Sequence, residues 1–88
     1  MQVLTIFYDA HCGLCGGFRR WMQTQASTVR LEFIPYDSAE ALRRLPELAK
    51  MRPDREIVAM SDRGAVWQGA GAWVVCLWVL RDWRAWAR

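Results

Sequence analysis

The chain of 88 residues is poor in several residue types: it has three cysteines, three prolines, one histidine and, among twelve basic residues, a single lysine. Three cysteines, two of them in Cys12-Gly13-Leu14-Cys15, cannot make the even disulfide framework that staples small secreted domains. No five or six like charges follow one another. The formal net charge of +3 is therefore spread too thinly for a nucleic-acid footprint, which needs basic side chains gathered on one face. The nearest approach, Arg81, Arg84 and Arg88, reads as the solvated surface of a helix, and no nucleic-acid partner is expected. Long apolar runs are missing too: Ala70–Leu80, at 11 residues, falls short of the ~20 needed to cross a bilayer. Met1–Tyr8 carries neither a basic leader nor a small-residue cleavage site and reads directly as a strand. These absences favour a reducing, cytoplasmic setting.

Hydrophobic residues make up 53% and charged residues 24% of the chain, a globular composition, and the length suits a single domain over 1–88. Val3–Tyr8 is a nearly continuous apolar run with β-branched and aromatic residues, as expected of a strand covered on both faces. From Cys12 the period changes: Cys15, Phe18, Trp21 and Met22 recur at i, i+3 and i+4 spacing, which predicts an amphipathic helix to about Gln25. Gly13, Gly16 and Gly17 are poor helix formers and point to a close approach of backbone or substrate near its start. Leu31–Tyr36 reads as a second strand, with Pro35 near its end, where a missing donor is tolerated. Asp37 and Glu40 have capping-box spacing ahead of a second helix whose apolar face is Ala41, Leu42, Leu45, Leu48 and Ala49; Pro46 should kink it or start a fresh turn. Ile57–Met60 and Ala65–Trp67 flank Ser61-Asp62-Arg63-Gly64 as a hairpin, with Gly64 in the left-handed position. A last helix is expected over 72–87. The order β-α-β-α-β-β-α, with the first two strands parallel through a right-handed crossover, predicts a three-layer α/β/α sandwich on a small mixed sheet.

The C-x-x-C pair falls where a buried strand gives way to a helix, so Cys12 is expected at the helix N-terminus and Cys15 one turn further in, on the same side. Unpaired backbone N–H groups there favour thiolate over thiol, which makes Cys12 the attacking sulfur and Cys15 the resolving one. The stretch Phe7-Tyr8-Asp9-Ala10-His11-Cys12-Gly13-Leu14-Cys15 resembles the D-x-x-C-x-x-C signature of the DCC thiol-disulfide oxidoreductase family, a thioredoxin-like group. Phe33-Ile34-Pro35-Tyr36-Asp37-Ser38 is similar to that family's second strand and helix start, and Gly69-Ala70-Gly71-Ala72 to the glycine entering its last helix. The resemblance covers nearly all of the chain. It implies a thioredoxin-like fold, a redox dithiol at Cys12 and Cys15, a disulfide-containing protein or small thiol as substrate, an external thiol reductant and no cofactor. In thioredoxins and glutaredoxins a proline faces the cysteines from just before the third strand; Pro53, four residues ahead of Ile57, is the one candidate here.

Other readings stand beside this one. Asp9 could cap the helix or shape the turn, as Asp commonly does, or accept a proton during exchange. His11, if protonated, would stabilise the Cys12 thiolate, although neighbours at a strand–helix turn can point apart. A thioredoxin-fold interaction module with an idle cysteine pair is the first rival. A metal-binding module using His11, Cys12, Cys15 and Cys76 is the second; its spacing is wrong for structural zinc, and Cys76 sits among apolar neighbours as a buried thiol would. No metal site is assigned. Helical angles place Trp73, Cys76, Leu77 and Leu80 on one side of the last helix and Val75, Trp78, Val79 and Trp86 on the other. One apolar side can cover the sheet, and the other suggests a homodimer through this C-terminal helix.

Overall fold

In the computed structural model, which describes residues 1–9, 13–51 and 56–80 and, for 13–15, the backbone alone, Val3–Tyr8 forms strand β1. Strands β2 (Arg30–Pro35), β3 (Val58–Ser61) and β4 (Val66–Gln68) join it in the order β2-β1-β3-β4. β1 pairs with β2 in parallel from Val3↔Arg30 to Tyr8↔Pro35, and antiparallel with β3 from Leu4↔Ser61 to Phe7↔Val58. Its side chains alternate between two cores, as the apolar run predicts. Leu4 and Ile6 are buried with Met22 of helix α1 (Gly13–Gln23) and Ala72, Val75 and Cys76 of helix α3 (Ala70–Trp78). Phe7 is buried on the opposite face with Ile34, Val58, Ala41 of helix α2 (Ala39–Arg44), and Leu45 and Leu48. The result is the expected mixed sheet between two helical layers, a thioredoxin-like α/β arrangement in element order and sheet order alike.

Thr5, also on β1, is almost fully buried, yet its hydroxyl is satisfied: Arg44 at the end of α2 donates from Nη2 at 3.2 Å. The same guanidinium reaches Glu32 and Glu40 at 3.4 Å. A polar position in the central strand is thus matched by a long cationic side chain from the layer above it.

Several local expectations are refined. The cap of α2 is Ser38, not Asp37: its hydroxyl accepts from the Ala41 N–H at 3.2 Å and donates to the Pro35 carbonyl at 2.7 Å. Glu40 therefore falls one place short of a capping box and pairs instead with Arg43 and Arg44. Pro46 acts as expected, ending α2 and opening a 3-10 helix over Pro46–Met51. The hairpin turn places Gly64 at φ 88°, and the Ser61 hydroxyl accepts from the Arg63 and Ala65 N–H groups.

The last helix differs more. It starts at Ala70, two residues earlier than expected, and ends at Trp78. Among the described residues its stop has a clear cause, because the Val79 carbonyl is taken by three donors from the loop after α1. These are the Thr28 N–H at 2.7 Å, the Thr28 hydroxyl at 2.9 Å and the Ser27 hydroxyl at 3.3 Å. Leu80 then bridges to Ser27. Residues 81–88, expected to continue the helix, lie outside the described residues. The expected division of α3 into two sides is also corrected. Ala72, Val75, Cys76, Val79 and Leu80 are all buried, whereas Trp73 and Val74 are 41% and 50% exposed. The sheet contacts α3 along the seam between the two sides, so each side is only partly covered. Among the described residues no helix is long and apolar enough to cross a membrane.

Gly69 links β4 to α3 at φ 62°, ψ −130°, a conformation that L side chains avoid, and a Cβ there would stand 3.4 Å from the Glu56 carboxylate. Gly69→Ala should destabilise the fold by about 1–3 kcal/mol, the usual cost of such a backbone conformation. Urea unfolding followed by tryptophan fluorescence measures this; an unchanged midpoint would show that the junction relaxes freely.

Candidate active site

The sheet register gathers one end of every strand at a common edge. Tyr8 and Pro35 close the parallel pair, Val58 opens β3 beside Phe7, and Gln68 closes β4 opposite Val58. Helices α1 and α3 both begin at this edge, α1 five residues after Tyr8 and α3 immediately after Gly69, whose N–H donates to the Ile57 carbonyl at 3.0 Å. In α/β sheets this is where ligands bind, because strand ends and helix N-termini present unpaired backbone groups together.

Cys15 belongs to the first turn of α1. Cys12 and His11 lie outside the described residues, as does Pro53, so the expected facing of the cysteines by that proline does too. Asp9 follows Tyr8 directly; it is half-buried and engaged rather than free. Over Gly16 and Gly17 the nearest group is the guanidinium of Arg20, at 3.4 and 4.0 Å from where a Cβ would stand. A flexible side-chain tip, rather than packed backbone, covers these glycines.

One residue of this edge was not singled out by sequence reasoning. Arg19, four residues after Cys15 on α1, stacks its guanidinium over the Tyr8 ring at 5.3 Å from the centroid, within the range of a cation–π contact. The Tyr8 ring in turn meets Phe33 edge-on at 6.5 Å. The Nε atom of Arg19 is shielded from solvent and has no acceptor among the described residues, where a buried donor without a partner costs about 1–3 kcal/mol. The signal was present in the sequence as an arginine one helical turn beyond the second cysteine, but it needed the strand end at Tyr8 to give it meaning.

Cys76 has a different character. It is fully enclosed between α3 and the sheet, and burial pushes its thiol from 9.0 up to about 12. Such a thiol stays protonated and unreactive at neutral pH. Among the described residues no three histidines, cysteines or carboxylates come together to hold a metal ion.

A central sheet of this order, with helices on both faces and two of them starting at the strand ends, makes this a thioredoxin-like α/β domain. The chain belongs to the DCC1-like thiol-disulfide oxidoreductase family, which it matches over residues 6–88. No curated protein and no solved structure matches it.

The raised Cys76 value carries a pH dependence. Between pH 9 and 12 the unfolded chain loses the Cys76 proton and the folded chain keeps it, so stability should fall as pH rises, by about 1 kcal/mol per unit. Cys76→Val should flatten that alkaline slope in denaturant titrations; an identical slope in both proteins would refute the assignment.

Proposed function

We propose that the chain exchanges disulfides through Cys12 as nucleophile and Cys15 as resolving cysteine. The observation that carries this reading is the start of α1 at Gly13, between the two cysteines of the sequence, at the edge where both parallel strands end. The first N–H groups of a helix lack intrahelical acceptors and carry positive partial charge, which stabilises a thiolate beside them. The Cys12 thiolate attacks one sulfur of a substrate disulfide. That S–S bond breaks, a Cys12–substrate disulfide forms, and the other half leaves as a thiolate that takes up a proton. The Cys15 thiolate then attacks the Cys12 sulfur, expels the second half and closes a Cys12–Cys15 bond. The substrate has gained an electron pair and the dithiol has lost one, which an external thiol restores.

Under this reading the partner is a disulfide-containing protein or a small thiol compound, and no bound cofactor takes part. Asp9, just after β1, serves the turn or the helix start in preference to proton transfer, and His11 modulates the charge around Cys12. A reducing, cytoplasmic setting supplies the external thiol. Pairing of two copies through α3 is a separate proposal, supported by the exposure of Trp73 and Val74.

Iodoacetamide labelling at neutral pH, read by mass spectrometry, should modify Cys12 faster than Cys15 and far faster than Cys76. Equal, slow labelling of all three would favour the idle interaction module. Cys12→Ser should abolish turnover of a disulfide substrate, while Cys15→Ser should accumulate a mixed disulfide. Light scattering at micromolar concentration should return twice the 10.2 kDa chain mass if α3 pairs; a strict monomer removes that proposal.

A further inference from the structure

Arg19 stands out among the described arginines at the edges of the fold. Arg43 and Arg44 are paired with Glu40, and Arg44 also with Glu32; among the described residues no carboxylate pairs with Arg19, Arg20, Arg30 or Arg63, and of these four Arg19 is the one stacked on a ring and shielded at Nε. Its guanidinium lies over the face of Tyr8, and a ring face attracts the charge without accepting the in-plane N–H groups. The shielded Nε has no acceptor among the described residues. A planar guanidinium held by stacking, with no carboxylate on its Nη groups among the described residues, matches a carboxylate.

Its place is equally specific. Tyr8 is the last residue of β1, and a long side chain on a helix leans toward the N-terminus, here toward the turn that holds Cys15. Arg20, one residue on and exposed, folds back in the same direction over Gly16. One guanidinium thus lies over the early part of α1 and the other over the end of β1, from neighbouring positions on the same helix.

We propose that Arg19 is a specificity-determining residue that receives the carboxylate of an anionic small-molecule disulfide presented to the dithiol. This rests on the exchange reading above and names its substrate class: disulfides with a carboxylate a few bonds from sulfur. Arg20 adds a solvated charge and a smaller preference.

Three disulfides of similar size separate charge from reactivity: dithiodiglycolate, neutral bis(2-hydroxyethyl) disulfide and cationic cystamine. Stopped-flow oxidation of the reduced protein should favour dithiodiglycolate. Arg19→Met should slow that reaction by about tenfold, as expected for loss of a charge-assisted fork, and leave the neutral disulfide unchanged. Arg19→Lys should recover only part of the loss, and Arg20→Met should change it by about twofold or less, as for an exposed charge. An equal loss with all three reagents, or none, overturns the proposal. Thiodiglycolate, a thioether that cannot exchange, supplies the independent measurement: it should shift the Arg19 Nε–H resonance in the wild-type protein. If the shift occurs while the wild type oxidises with no disulfide, the exchange reading fails and the anion site stands. Without a shift, Arg19 is not the anion site.

Discussion

The central strand is the constraint on which the molecule depends. β1 is paired along both edges and covered on both faces, so each of its residues has one permitted direction. A slip of one residue would turn Leu4 and Ile6 into the α2 layer and Phe7 toward α1 and α3, emptying both cores at once. The register with β2 then fixes where the parallel pair ends, and that end fixes where α1 can begin. The start of α1 follows from the packing of Leu4, Ile6 and Phe7.

Much of this was legible because the signals were periodic. The continuous apolar run of β1, the helical spacing of Phe18, Trp21 and Met22, and the hairpin around Gly64 each pointed to the element observed. The cap at Ser38 was misread by one position because Asp37 and Ser38 are both good caps, and the choice between them is made by the Pro35 carbonyl that the Ser38 hydroxyl also reaches. The length of α3 was overestimated because apolar periodicity contains nothing about Ser27 and Thr28, some fifty residues away in sequence, which take the Val79 carbonyl. Its buried seam was misplaced for a related reason: when nearly every position of a helix is apolar, periodicity cannot say which arc meets the sheet.

The candidate site shows the same division. The residues around the cysteine pair were enough to point to the family, because the D-x-x-C-x-x-C pattern is carried by residue identity and spacing alone. Arg19 was invisible until Tyr8 was placed beneath it, because one arginine in an arginine-rich chain has no signature of its own. Cys76, by contrast, is sealed in a core where ionisation is suppressed.

The capture of the Val79 carbonyl has a mechanical corollary. α1 and α3 start at the same edge and run together, and Ser27 and Thr28 tether the tail of one to the tail of the other. The two helices form a pair of tongs riveted at the handles. Nearer the tips Phe18 meets Trp73 edge-on at 4.4 Å, so the jaws are joined by an aromatic contact as well as by the rivet.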